Sequence, residues 1–126
     1  MKVSTALGLL VAIGLQWSAA AQAGVVSSLG SRSCSAVVAS SRDGRSAAEQ
    51  YRQWLLGFLS GLNASRLRSH ETPFNLTDED AHWQWIVRRC DANPQMTLFG
   101  AATALWNELL EGRSPALARP FFPTSE

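Results

Sequence analysis

Two cysteines, Cys34 and Cys90, constrain the fold of this 126-residue chain more than any other feature. They stand too far apart for a zinc-ligand spacing, and neither belongs to a Cys-x-x-Cys redox motif. In an oxidising compartment such an isolated pair indicates a disulfide. The bond would close a loop of about 57 residues and contribute about 4 kcal/mol by restricting the unfolded chain. We therefore expect one domain tied together by a Cys34–Cys90 disulfide.

The N-terminus has the order of a secretory signal peptide over residues 1–23. Lys2 precedes an apolar run from Ala6 to Leu15, and Ala21-Gln22-Ala23 supplies a small-x-small cleavage pattern. The run is about 10 residues long, whereas a membrane-spanning helix needs roughly 20. The sequence thus predicts cleavage before Gly24 and a periplasmic mature chain without a membrane segment. Lys2 is the only lysine, so that mature chain has equal numbers of arginines and acidic residues. This balance argues against a nucleic-acid partner, which requires a basic face.

A long helix is predicted from Ser46 to about Arg68. Ser46 and Glu49 form a capping box, and apolar residues follow at helical spacing: Tyr51, Trp54, Leu55, Phe58, Leu59 and Leu62. Gly57 and Gly61 interrupt this helix, where each costs up to about 1 kcal/mol relative to alanine. We expect the close approach of another backbone segment, such as the one around Cys34, to compensate.

Two further helices follow. One begins at Thr77, carries acidic residues in its first turn and reaches Cys90. The other has Asn93 as N-cap and Pro94 as its first residue, and ends at Gly112.

The predicted fold class is all-α, a small bundle of three main helices plus a short N-terminal segment pinned by the disulfide. Residues 24–33 are expected to be a flexible leader, 34–112 the helical domain and 113–126 a proline-rich extended tail. The segment 34–41 is too short to distinguish a helix from a strand.

The residues do not favour catalysis. His70 and His82 are the only histidines, and they lack a metal-ligand spacing such as His-Glu-x-x-His. No serine lies in a Gly-x-Ser-x-Gly elbow, and no glycine-rich phosphate loop is present. We expect no catalytic residue, metal or cofactor.

The segment 70–80 is the best candidate for binding. It is either an ordinary solvated connection or an acidic edge that docks on a basic partner. Trp83 and Trp85 lie two apart on a helix and point in different directions, so at least one should be exposed for contact. The candidate partner-binding residues are Glu71, Phe74, Asp78, Glu79, Asp80 and Trp83.

Three blocks of sequence suggest a family. They are Trp54-Leu-Leu-Gly57-Phe58-Leu-Ser60-Gly61, Trp85-Ile-Val-Arg-Arg-Cys90 and Asn93-Pro94, in a layout spanning roughly Cys34 to Leu110. In these the chain resembles the small periplasmic Rap/Tai immunity proteins of type VI secretion systems. The resemblance implies a non-enzymatic helical protein that blocks a secreted peptidoglycan hydrolase, with the 69–77 connection as the loop presented to it. Exposed aromatic residues would also permit a homodimer.

A looser resemblance gives the alternative. HdeA-type periplasmic acid-stress chaperones are also small helical proteins with one disulfide, but they are rich in lysine. Because the mature chain has no lysine, its acid response would depend on Asp78, Glu79 and Asp80.

Overall fold

A computed structural model of the chain describes residues 29–113. Within this range it forms four helices, α1 (Cys34–Arg42), α2 (Arg45–Arg68), α3 (Glu79–Ala92) and α4 (Leu98–Glu111), and no strand. The all-α prediction is confirmed, with one helix more than the three expected. None of the described helices is long and apolar enough to cross a membrane. The predicted signal peptide and proline-rich tail lie outside the described residues, apart from Arg113.

The N-terminal segment that the sequence left undecided is the helix α1. The Ser33 hydroxyl caps it by accepting a hydrogen bond from the Ala36 amide. Cys34, Val37 and Val38 then fall at helical spacing and are buried, mainly against α3. The predicted disulfide is confirmed, since Cys34 is bonded to Cys90 near the end of α3 and both residues are fully buried. The bond is consistent with export.

The starts of α1 and α4 exchange backbone hydrogen bonds. The Cys34 amide donates to the Met96 carbonyl over 2.7 Å, and the Leu98 amide donates to the Arg32 carbonyl over 2.9 Å. Next to each of these two bonds, a second backbone hydrogen bond joins the same two segments. The first amides of a helix have no partner within the helix, so each helix start satisfies the other. Residues 30–33, within the expected flexible leader, are held in place by this exchange.

The helix α2 ends at Arg68 as predicted, but its start differs. Gly44 is the N-cap, with φ of 109°, and no side chain caps the helix. The predicted capping box is therefore wrong, and the Glu49 carboxylate accepts a hydrogen bond from the Gln53 side chain instead. The reason is the tight turn at Gly44, which starts α2 one residue before Ser46. The core side of α2 buries Leu55 and Leu59.

The expected close approach at Gly57 and Gly61 is wrong. Both are exposed, and a Cβ added at either would meet no other atom of the described chain within 4 Å. They lie on the side of α2 that faces away from the buried Leu55 and Leu59, so none of the other three described helices reaches them. Together they cost about 1–2 kcal/mol of helix stability relative to alanine, and no packing among the described residues offsets this cost.

The helix α3 begins two residues later than predicted. The amide and hydroxyl of Thr77 both donate to the Asn75 side-chain oxygen, at 3.0 and 2.7 Å. The Thr77 hydroxyl therefore does not cap α3. Asp78 is the N-cap, and its carboxylate accepts a hydrogen bond from the Ala81 amide over 3.1 Å. The acidic first turn is present as expected and suits the positive end of the helix dipole.

The predicted start of α4 at Asn93 and Pro94 is also wrong. The helix begins at Leu98, and the Thr97 hydroxyl caps it. Asn93 instead closes α3, donating from its side chain to the Arg89 carbonyl over 2.9 Å. The intervening turn is not helical because two of its carbonyls accept from the start of α1. Gly112, predicted to end the helix, does so in the left-handed conformation.

The core lies where α4 meets the other helices. Six residues of α4 are buried: Leu98, Ala101, Ala102, Leu105, Trp106 and Leu109. The core also contains His82 of α3, which is fully buried. Neither ring nitrogen of His82 has a hydrogen-bond partner among the described residues.

Candidate binding groove beside α2

Residues 69–78 connect α2 to α3 by running back along α2. The helix ends in a Schellman motif, in which the Glu71 amide donates to the Arg66 carbonyl and the His70 amide to the Leu67 carbonyl. His70 adopts the left-handed conformation, with φ of 58°, that glycine usually occupies at this position. The turn reverses the chain and brings the following residues alongside α2.

Asn63 of α2 anchors the middle of this connection. Its Nδ2 donates to the Phe74 carbonyl over 2.7 Å, and its Oδ1 accepts from the Phe74 amide over 2.9 Å. The Asn63 side chain thus pairs with both polar groups of the Phe74 backbone. The Phe74 ring packs edge-on against Trp106 of α4, with centroids 5.2 Å apart.

Arg66, one turn further along α2, holds the start of the connection. Its Nε donates to the Thr72 carbonyl over 2.9 Å, and its guanidinium pairs with Glu71 at 2.7 Å. The same guanidinium lies 4.5 Å from the centre of the Phe74 ring, a distance at which a cation and a ring attract each other. Only 18% of the Arg66 side chain is exposed. Asn63 and Arg66 thus fix residues 71–74 on α2.

A groove of about 540 Å³ runs between α2 and the connection. Its α2 wall consists of Leu56, Ser60, Asn63, Ala64 and Leu67. The facing wall consists of Pro73, Phe74, Leu76 and Thr77 of the connection and Glu79 of α3. The volume lies within the range of sites that enclose a ligand or a side-chain cluster. Leu67 is 58% exposed, the most exposed large apolar side chain described. This groove is the candidate functional site.

The carboxylates of the predicted acidic edge do not form one surface in the structure. Glu71 is neutralised by Arg66 on the far side of the connection, and the carboxylate of Asp78 caps α3. Asp80 accepts from Arg52 over 2.6 Å. The Arg52 guanidinium, by this hydrogen bond and by its charge, lowers the pKa of Asp80 below the usual value for an aspartate. These carboxylates therefore serve internal contacts.

Glu79 differs from its neighbours. Its side chain is exposed and lines the groove, and it makes no hydrogen bond or ion pair with any described residue. Of the six predicted binding residues, the structure thus brings Phe74 and Glu79 together in one site.

Trp83 does not lie on this surface. It is 7% exposed and belongs to the core, with the Arg52 guanidinium 6.0 Å from its ring centre. Trp85, two residues on, is half-buried. As expected, the two rings differ in exposure, but Trp83 is the buried one and Trp85 the partly exposed one, and neither lines the groove.

Sequence reasoning missed Asn63, Arg66, Leu56 and Leu67. A weak signal existed for Asn63, because asparagine is a poor helix former and here stands inside a helix, one turn beyond the buried Leu59. The half-buried Leu56 and the exposed Leu67 gave no signal, because isolated apolar residues on a surface are ordinary.

Within residues 29–113, no group of three or more His, Cys, Asp or Glu side chains is placed to hold a metal ion. Comparison of the chain with protein-family models, with curated proteins and with solved structures finds no match in any of the three. The interpretation of the groove rests on its geometry.

Proposed function

We propose that this chain is a non-enzymatic binding protein of the periplasm and that the groove along α2 receives part of a protein partner. The supporting observation is an apolar groove whose outer wall is held by Asn63 and Arg66. A wall already fixed in the free protein loses little conformational entropy on binding, which favours affinity. The exposed Leu67 supplies apolar surface that a partner would bury.

We further propose that the partner is an exported cell-wall hydrolase and that the chain acts as its immunity protein. Support for this finer proposal comes from the resemblance of the Trp54–Gly61 and Trp85–Cys90 blocks to Rap/Tai proteins. The position of the groove adds to this support, because residues of the 69–77 loop, which the resemblance implies is presented to the hydrolase, form one wall.

The test is binding between the chain lacking residues 1–23 and each exported hydrolase encoded beside it, measured by calorimetry and by inhibition of peptidoglycan hydrolysis. Leu67→Glu places a charge in the groove and should weaken binding at least about tenfold, as loss of a strong apolar contact does. Leu110→Glu is the matched control, because Leu110 is similarly exposed at 50% but lies on α4 outside the groove.

Each result has a distinct meaning. If no such hydrolase binds, the immunity proposal fails. If one binds and Leu67→Glu and Leu110→Glu have equal effects, the partner uses another surface and the groove proposal fails.

An acid-stress chaperone is the second candidate. It is favoured by the Arg52–Asp80 contact, which joins α2 to α3 through a carboxylate that acid would neutralise. This function requires partial opening of the fold below about pH 3, where aspartates are protonated, together with suppression of client aggregation. Unchanged circular dichroism and unchanged client aggregation at that pH would exclude it.

A further inference from the structure

We infer that the groove binds an amphipathic helix of the partner protein, about three turns long, with a lysine or arginine placed against Glu79. This inference rests on the proposed function and specifies the chemistry of the bound segment. It follows from the length of the groove, the surface of α2 beside it and the distribution of charge at its ends.

The length of the groove suits a short helix. Its α2 wall extends from Leu56 to Leu67, a rise of about 16 Å at 1.5 Å per residue. A helix of about 11 residues covers this distance. An apolar stripe at helical spacing would then contact Leu56, Leu67 and the Phe74 ring, which is the usual helix-in-groove arrangement.

The surface of α2 beside the groove allows a helix to approach closely. Ser60 and Ala64 line the groove. Gly57 and Gly61 continue this small surface around the helix, and no described residue outside α2 lies within 4 Å of where their Cβ atoms would be. Helix axes come nearest where the side chains between them are small. A partner helix on this face would account for two glycines that no contact among the described residues explains.

Charge distinguishes the two ends of the groove. The hydrogen bond from Arg52 to Asp80 places the start of α3 beside the Leu56 end. This helix start carries three carboxylates, Asp78, Glu79 and Asp80. The two arginines that pair with it, Arg45 and Arg52, both contact Asp80, so one negative charge is in excess. Glu79 is the carboxylate of this group that lines the groove, and it has no described partner. A complementary partner therefore carries a cation at this end.

The occupant can be characterised without knowing the natural partner. A phage library of 16-residue peptides is selected on the immobilised chain lacking residues 1–23 and, separately, on its Glu79→Arg variant. Peptides from the wild-type selection should share an apolar stripe at helical spacing with a lysine or arginine beyond one end. Peptides from the Glu79→Arg selection should carry aspartate or glutamate there.

A synthetic peptide from the wild-type selection then gives dissociation constants. Glu79→Gln should weaken its binding about two- to fivefold, as expected for an exposed ion pair. Asp43→Asn is the matched control, because Asp43 is exposed, makes no ion pair among the described residues and lies in the α1–α2 turn. Gly61→Ala should also weaken binding while the circular dichroism spectrum stays unchanged.

The outcomes separate this inference from the proposed function. If peptides bind the Leu67→Glu variant more weakly but the Glu79→Arg variant equally well, binding in the groove is supported. The inference that a cation lies against Glu79 is then overturned. Peptides insensitive to Leu67→Glu would overturn both. Sedimentation could instead show a dimer that Leu67→Glu dissociates. A second copy of the chain, offering its own Leu67 and Arg68, would then be the occupant, and the inference of a separate partner protein would be overturned.

Discussion

The side-chain amide of Asn63 makes both hydrogen bonds of the Phe74 backbone, as donor to the carbonyl and as acceptor from the amide. A neighbouring strand would satisfy the same two groups in a sheet. Here one residue of α2 does so, and it thereby fixes the distance between the helix and the connection. Because that distance is the width of the groove, the shape of the candidate site depends on Asn63.

Asn63→Ala should therefore lower the free energy of unfolding by about 2–3 kcal/mol, because two part-buried backbone groups lose their partners. Urea denaturation measures the change, and hydrogen exchange of the Phe74 amide should become faster. Asn107→Ala is the control, since Asn107 is exposed on α4; it should change stability by less than about 0.5 kcal/mol. Equal effects of the two variants would contradict the proposed role of Asn63.

His70→Gly should raise the free energy of unfolding by about 1 kcal/mol. His70 holds a left-handed conformation at the end of α2, which costs a residue with a Cβ roughly 1–2 kcal/mol. Glycine avoids this cost but gains entropy in the unfolded chain. His70→Ala removes the imidazole and keeps the Cβ, so it should not stabilise the protein. If alanine stabilises as much as glycine, the imidazole and not the backbone is the source of the effect.

His82→Met should stabilise the protein by about 1 kcal/mol. Both ring nitrogens of the buried His82 lack a described partner, and an unpaired buried polar group costs about 1–3 kcal/mol. Methionine has a similar volume and adapts to an irregular space. His82→Ala should instead destabilise by about 2–3 kcal/mol because it leaves a cavity. Destabilisation by His82→Met, seen in thermal unfolding, would show that the ring has a polar partner after all.

Asp80→Asn should reduce stability at pH 7 but have no effect in strong acid. The hydrogen bond and charge of Arg52 hold the pKa of Asp80 in the folded chain below the ordinary value of an aspartate. Between the folded and unfolded pKa values, the folded state therefore binds fewer protons than the unfolded state. The stabilisation is present above the unfolded pKa and disappears as the pH falls through the folded pKa. Urea midpoints of both proteins should therefore converge once the pH falls below the folded pKa of Asp80. A constant difference at all pH values would show that packing, not charge, is lost.

Local patterns in the sequence were sufficient for much of the fold. The stripe from Tyr51 to Leu62 marked α2 because a 3.6-residue period places apolar residues on one side of a helix. Two widely spaced cysteines marked the disulfide, and Gly112 marked the end of α4. The N-caps were less predictable. Ser46, Thr77 and Asn93 are all good capping residues, but a turn at Gly44 starts α2 before Ser46, and Thr77 is bonded to the Asn75 side chain. After Asn93, the decisive groups are distant, because the Met96 carbonyl accepts from Cys34 of α1.

The candidate site was predicted only in part. Phe74 and Glu79 were recognised as unusual residues of an acidic connection, whereas Asp80, Glu71 and Trp83 were grouped with them because they are near in sequence. The structure separates them, because Arg52 and Arg66 of α2 pair with two of the carboxylates and Trp83 turns into the core. Proximity along the chain does not reveal which charges are paired across it.

The sequence alone determined that this chain is helical and that Cys34 pairs with Cys90, because periodicity and residue type are properties of the chain itself. Only the tertiary structure decided that Gly57 and Gly61 face no other residue of the described range 29–113 and that a groove lies beside them. The groove exists because the 69–78 connection folds back on α2, held by Asn63 and Arg66. Those contacts join residues 6 to 11 positions apart, and no periodic pattern encodes them.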